Sequence, residues 1–105
     1  MPTFDPDEVA RLAADDATLS VTFAASDGAA ALGLTNEDIR DVLNDLQRAD
    51  VLFYKSVASD DRPGSVFDVY HVPYCGRLIY LKFTIGTRRQ PPRDRCVVVT
   101  SFKEK

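Results

Sequence analysis

The stretch Leu78-Ile79-Tyr80-Leu81-Lys82-Phe83-Thr84-Ile85 places Ile79, Leu81, Phe83 and Ile85 on one parity and Tyr80 and Lys82 on the other. A period of two marks a β-strand with one face in a core and the other in water. Three more segments share this enrichment in β-branched and aromatic residues: Val51–Ala58, Val66–Pro73 and Cys96–Phe102. The stretches between them are built for turns. They are Asp60-Asp61-Arg62-Pro63-Gly64, the shorter Cys75-Gly76-Arg77, and a longer basic loop from Gly86 to Asp94 that holds Arg88, Arg89 and Arg93 beside Pro91 and Pro92. Strands joined by such short connections run antiparallel, so the second half of the chain reads as a meander.

The first half has the other period. Asp5-Pro6-Asp7-Glu8 offers an N-cap, a proline at the first helical position and two acids in the first turn, and Val9, Leu12 and Ala13 share one face; a helix is predicted from Pro6 to about Asp15. Leu19–Phe23 alternates and reads as a short strand, followed by an alanine-rich helix from about Ser26 to Leu32 that stops at Gly33. Thr35 and Asp38 have the spacing of a capping box, and Ile39, Val42, Leu43 and Leu46 then recur at helical intervals, which predicts a third helix from Asn36 to about Arg48. The expected fold class is α+β, with N-terminal helices packed on one face of a mostly antiparallel sheet.

At 105 residues and 45% apolar composition the chain suffices for one core, so residues 1–105 are read as a single domain. No stretch approaches the roughly 18 apolar residues of a membrane span, and the opening residues lack the basic-then-apolar pattern of a leader; a cytoplasmic protein is expected. Cys75 and Cys96, with the single His71, suggest neither a disulfide framework nor a zinc site, and both are expected to be reduced, half-buried strand residues. Residues 1–50 hold eleven Asp/Glu against three Lys/Arg, whereas residues 51–105 hold ten Lys/Arg against five Asp/Glu. That division is what a basic working face on an acidic body would produce, and equally what soluble helices beside charged sheet edges would produce.

On a sheet covered on one side, parity decides which polar residues can share a site. Tyr80 and Lys82 belong to the open side; Lys55 alternates with Tyr54 in the first strand, and Lys103 lies on the Ser101 side of the last. If register aligns them, Lys55, Tyr80, Lys82 and Lys103 make a cationic patch around a phenol. Solvated edge lysines and cross-strand tyrosine packing would leave the same sequence pattern. A glycine-rich phosphate loop, a His-Glu metal helix, a nucleophile elbow and a magnesium-binding acidic cluster are all missing, so no cofactor and no metal is expected, and any hydrolysis falls to side chains.

Phe53-Tyr54-Lys55-Ser56, Asp68-Val69-Tyr70, Tyr80-Leu81-Lys82 and Ser101-Phe102-Lys103-Glu104-Lys105 fall in the order and approximate spacing of the MqsR family of toxins, which the chain resembles over about residues 35–105, with the N-terminal helices similar in pattern only. The resemblance implies a RelE-like fold, ribosome-independent endonucleolytic cleavage of single-stranded mRNA with preference for a short GC-containing triplet, and a cognate MqsA-like antitoxin as partner. It assigns catalysis to Lys55, Tyr80 and Lys103, the lysines stabilising the phosphate and Tyr80 moving a proton. The family's glutamine before Asp-Val-Tyr is replaced here by Phe67, and the arginine after that tyrosine by His71. RNA contacts are expected from Lys82, His71, Arg77, Phe67, Arg88 and Arg89, with Arg93 and Arg95 adding to the backbone grip and Tyr54, Tyr70 or Phe67 stacking a base. His71 is the rival for acid–base work because a free imidazole titrates near neutrality. Two other functions fit the same residues: a noncatalytic RNA- or protein-binding module using the basic sheet, and an interaction domain whose edge strand accepts an extended partner.

Overall fold

The computed structural model describes residues 1–59, 64–87 and 95–105. Helix α1 spans Pro6–Ala13, a 3-10 turn Asp16–Thr18, strand β1 Leu19–Val21, helix α2 Phe23–Ala31, helix α3 Asn36–Asn44, and strands β2 to β5 span Leu52–Ala58, Val66–Tyr74, Arg77–Thr87 and Arg95–Glu104. The strands form one sheet in the order β1-β5-β4-β3-β2, antiparallel throughout the expected meander, with β1 added parallel to β5 through Leu19–Val97 and Val21–Val99. The α+β arrangement is the one expected: Val9, Leu12 and Ala13 of α1, Ala25 and Ala29 of α2 and Ile39, Val42 and Leu43 of α3 join Ile79, Leu81, Phe83, Val97, Val99 and Phe102 in one buried cluster.

Local chemistry explains where the helices depart from the expected bounds. Asp15 does not extend α1; it caps the 3-10 turn, its carboxylate accepting from the Ala17 amide at 2.8 Å. The alternating run after it ends at Val21 because Thr22 caps α2, accepting from the Ala25 amide at 3.3 Å while donating to the Val99 carbonyl at 3.1 Å. One side chain thus starts a helix and satisfies the neighbouring strand. α3 has the capping box, with Asp38 accepting from the Thr35 amide at 2.7 Å, and it ends at Asn44 where the Asp45 amide turns back to Val42. Asp38 also accepts from the Tyr74 phenol at 2.7 Å, tying α3 to the end of β3.

Two backbone constraints hold the sheet in place. Gly28 of α2 lies so close to β5 that an added Cβ would fall 2.0 Å from the Phe102 carbonyl oxygen. The turn Tyr74-Cys75-Gly76-Arg77 has φ of 50° and 75° at its two central residues, the form whose twist matches adjoining strands. Cys75 is therefore an exposed turn residue and Cys96 a buried strand residue, in place of the two half-buried strand positions expected. The buried Asp68 carboxylate accepts from the Thr3 and Phe4 amides at 3.1 and 2.9 Å and from the Ser56 hydroxyl at 2.7 Å, which clasps the N-terminal segment against the helix-covered side, where Phe4 meets Phe83. Among the described residues no helix is long and apolar enough to cross a membrane.

Gly28→Ala should lower the unfolding free energy by about 2 kcal/mol, measured by urea denaturation, because the new methyl meets backbone that cannot rotate away; a loss near zero would mean that α2 is free to slide. The Thr35 amide, then the Tyr74 phenol, hold the Asp38 carboxyl below its ordinary value, so its folded pKa lies under the unfolded one. Its contribution is full near neutral pH and disappears as the pH falls through about 4 and below. Asp38→Asn should flatten that part of the acid-denaturation profile.

Candidate functional site

Two cross-strand rows run across the middle of the sheet's uncovered side. One runs Leu52, His71, Tyr80, Lys103 and the other Lys55, Val69, Lys82, Ser101, each step a direct register pair from β2 to β5. Strict alternation in β2 would turn Lys55 to the side of Phe53, which packs edge-on against the buried ring of Tyr70. A bulge between Phe53 and Lys55 inserts Tyr54 as an extra residue, so Tyr54 and Lys55 both face outward. The expected alternation of the two is corrected in this way: Tyr54, expected to stack a base, shares the face of Lys55, which parity within the strand did not show.

The result is a continuous line of side chains across the sheet. Lys55 Nζ stands 5.1 Å from the Tyr54 ring centre, Tyr54 stacks on His71 at 4.5 Å, His71 meets Tyr80 at 6.1 Å, and Lys103 Nζ stands 5.3 Å from the Tyr80 ring. Three rings are thus bracketed by two ammoniums. A third ammonium, Lys82 Nζ, lies 5.0 Å from the ring of Phe67. Tyr80 and Lys103 are adjacent, while Lys55 sits two strands from Tyr80, roughly 10 Å in backbone terms. Cation–ring contacts at exposed sites are worth only about 0.5–1 kcal/mol, so these lysines are readily drawn to a stronger anionic partner.

Electrostatics separates the two sides of the sheet. Arg40 pairs with Asp16 and Glu37, Arg48 with Asp45 and Asp50, Arg77 with Glu104 at 2.8 Å, and Arg95 with Glu8 of α1. Among the described residues Lys55, Lys82 and Lys103 have no carboxylate partner, and no Asp or Glu shares the open-face parity. Arg77 and Arg95 therefore do not join the basic face: both have the parity of Ile79 and Val97, and each is neutralised. Arg88, Arg89 and Arg93 lie outside the described residues. Tyr70, expected as a stacking platform, is 2% exposed and stacks on Phe83 on the helix side at 5.8 Å; burial, then Asp68, pushes its phenol up to about 12.

His71 is 8% exposed, and its Nε2 is buried without a hydrogen-bond partner. Burial, then the ammonium of Lys105, holds the imidazole below its ordinary value, so it is neutral at physiological pH. Val69, between Lys55 and Lys82 in register, is fully buried and floors the second row. Among the described residues no three His, Cys, Asp or Glu side chains converge to hold a metal ion. The arrangement can bind a flexible polyanion that carries aromatic groups: ammoniums for the charge, rings for stacking, and a phenol beside an ammonium for proton transfer at phosphorus.

Comparison with known families gives a match over residues 1–104 to the family described as "Motility quorum-sensing regulator, toxin of MqsA". Neither the curated proteins nor the solved structures give a match.

Because His71 is the chain's single histidine, its titration is directly readable by NMR. The midpoint should fall below ~6.5, and Tyr54→Ala should raise it toward that value by admitting water. A midpoint indifferent to Tyr54 would assign the shielding to some other group.

Proposed function

Since the chain belongs to the MqsR family of toxins and is the toxin of a toxin–antitoxin system whose antitoxin is MqsA, we propose that it is an endoribonuclease that cuts single-stranded mRNA in the cytoplasm. On this reading it uses no metal and no ribosome. Its support is the line Lys55–Tyr54–His71–Tyr80–Lys103, which puts an unpaired ammonium beside a phenol on a face that carries no Asp or Glu among the described residues.

RNA carries its own nucleophile. The 2′-hydroxyl attacks the adjacent phosphorus, its proton leaves, and the bond from phosphorus to the 5′-oxygen breaks as that oxygen gains a proton, giving a 2′,3′-cyclic phosphate and a 5′-hydroxyl. Lys103, next to Tyr80, stabilises the negative charge that grows on the phosphorane. Tyr80 exchanges a proton with one of the two oxygens and solvent water with the other, so that the proton lost at the 2′-oxygen is balanced by the one gained at the 5′-oxygen. Lys55 approaches from the β2 side and holds the phosphate backbone or the same phosphoryl group once its side chain extends inward. Lys82 adds charge along the second row. Phe67, in place of the family glutamine, offers a ring where a polar contact would have been, so sequence preference follows stacking more than hydrogen bonding at that position.

Incubation of the purified protein with a defined RNA in EDTA should release fragments ending in 2′,3′-cyclic phosphate. Lys103→Ala and Tyr80→Phe should each slow cleavage by at least about 100-fold while shifting the thermal midpoint little, since both side chains are on the uncovered face. RNA binding without fragments would make the protein a noncatalytic binding module.

A further inference from the structure

The extra residue supplied by the bulge covers His71. Tyr54 lies on the imidazole with ring planes 24° apart, yet is 54% exposed, and its phenol makes no hydrogen bond among the described residues. The stack and the nearby Lys55 ammonium are the contacts that hold it. Beneath it the Nε2 atom of His71 is shut off from water with nothing to bond to. Proteins seldom leave a buried polar atom in that condition, and one found beside a row of rings and ammoniums points to a group that completes it. Leu52, paired with His71 in register and 62% exposed, adds an apolar rim.

We propose that Tyr54 and His71 form a subsite for one unpaired nucleobase of single-stranded RNA, in which Tyr54 swings off the imidazole and stacks on the base, and the edge of the base enters the imidazole plane so that one of its polar atoms becomes the partner of Nε2. The subsite deepens the nuclease reading and rests on it, since the base would be that of a nucleotide next to the phosphate held by Tyr80 and Lys103.

The chemistry of the occupant follows from what the subsite lacks. The displaced Tyr54 ring offers a free face, so the ligand is planar and aromatic. An in-plane nitrogen must be satisfied, so its edge bears hydrogen-bonding atoms, which every nucleobase has and the ring of a phenylalanine does not. A free anion would seek a cation, and the imidazole is neutral. Lys55 at one end of the row and Lys103 at the other can take the phosphates on either side of the stacked nucleotide.

The test uses the whole protein and a short 2′-O-methyl oligoribonucleotide, which binds but cannot be cut because its nucleophile is blocked. With the histidine ring labelled with nitrogen-15, the oligomer should shift the Nε2 resonance and abolish the proton contacts between Tyr54 and His71. An abasic oligomer of the same length, or inorganic phosphate, should do neither. His71→Phe keeps the ring and removes the nitrogen; it should bind the base-bearing oligomer about tenfold more weakly, equivalent to about 1.4 kcal/mol, and the abasic one equally well. Oligomer binding that leaves Nε2 unmoved, or moves it as much without bases, overturns the subsite while the nuclease reading stands. A base-dependent shift in a protein that yields no fragments sustains the subsite and removes the nuclease.

Discussion

Helices occupy one side of the sheet, and alternation along each strand then dictates what the other side can display. Every side chain that seals the core costs a position on the open face, and every functional group must come from the remaining half. The register pairs show how that half is used. Tyr80 and Lys82 stand between Ile79, Leu81 and Phe83, while Lys103 and Ser101 flank Phe102. Core and site are two readings of the same strands, which is why Lys103 cannot move without Phe102, and why Gly28 of α2, pressed on the Phe102 carbonyl, also fixes the site.

The bulge at Tyr54 is one of two breaks in this rule that the site depends on; the other skips Thr100 of β5, so that Val97 and Val99 face the core while Lys103 faces out. In a regular strand Lys55 would face the helices, where an unpaired ammonium is costly, or Phe53 would leave its place against Tyr70. One additional residue lets Phe53 stay inside, puts Lys55 outside, and makes Tyr54 available to lie over His71. The charge distribution acts in the same direction. Arginines tied to carboxylates stitch helices and turns together, as Arg48 does by also donating to the Pro73 carbonyl, and the lysines left unpaired are those of the open face.

Much of this was legible in the sequence because it rests on periodicity. The four long strands, the α+β class and the outward parity of Tyr80 and Lys82 follow from alternation and agree with the structure. What alternation could not show was any event that interrupts it. The bulges in β2 and β5, the parallel addition of β1 to β5 and the ion pairs of Arg77 and Arg95 depend on partners far away in the chain. The fate of Asp68 was hidden for the same reason: a carboxylate in a strand reads as exposed until two amides from residues 3 and 4 arrive to bury it. Charge counts by halves found the basic face but overstated it, since they cannot tell a neutralised arginine from an unpaired lysine.

The position of β5 within the sheet has a consequence for how the fold closes. It pairs on one side with β1, almost eighty residues earlier in the chain, and on the other with β4, so its contacts have a very high sequence separation. Without β5 the helices lose Val97, Val99 and Phe102 from their core, and the sheet loses the strand that brings Lys103 beside Tyr80. The open face is thus a product of the longest-range contacts in the sheet, because Lys103 stands beside Tyr80 only once β5 has met both of its neighbours.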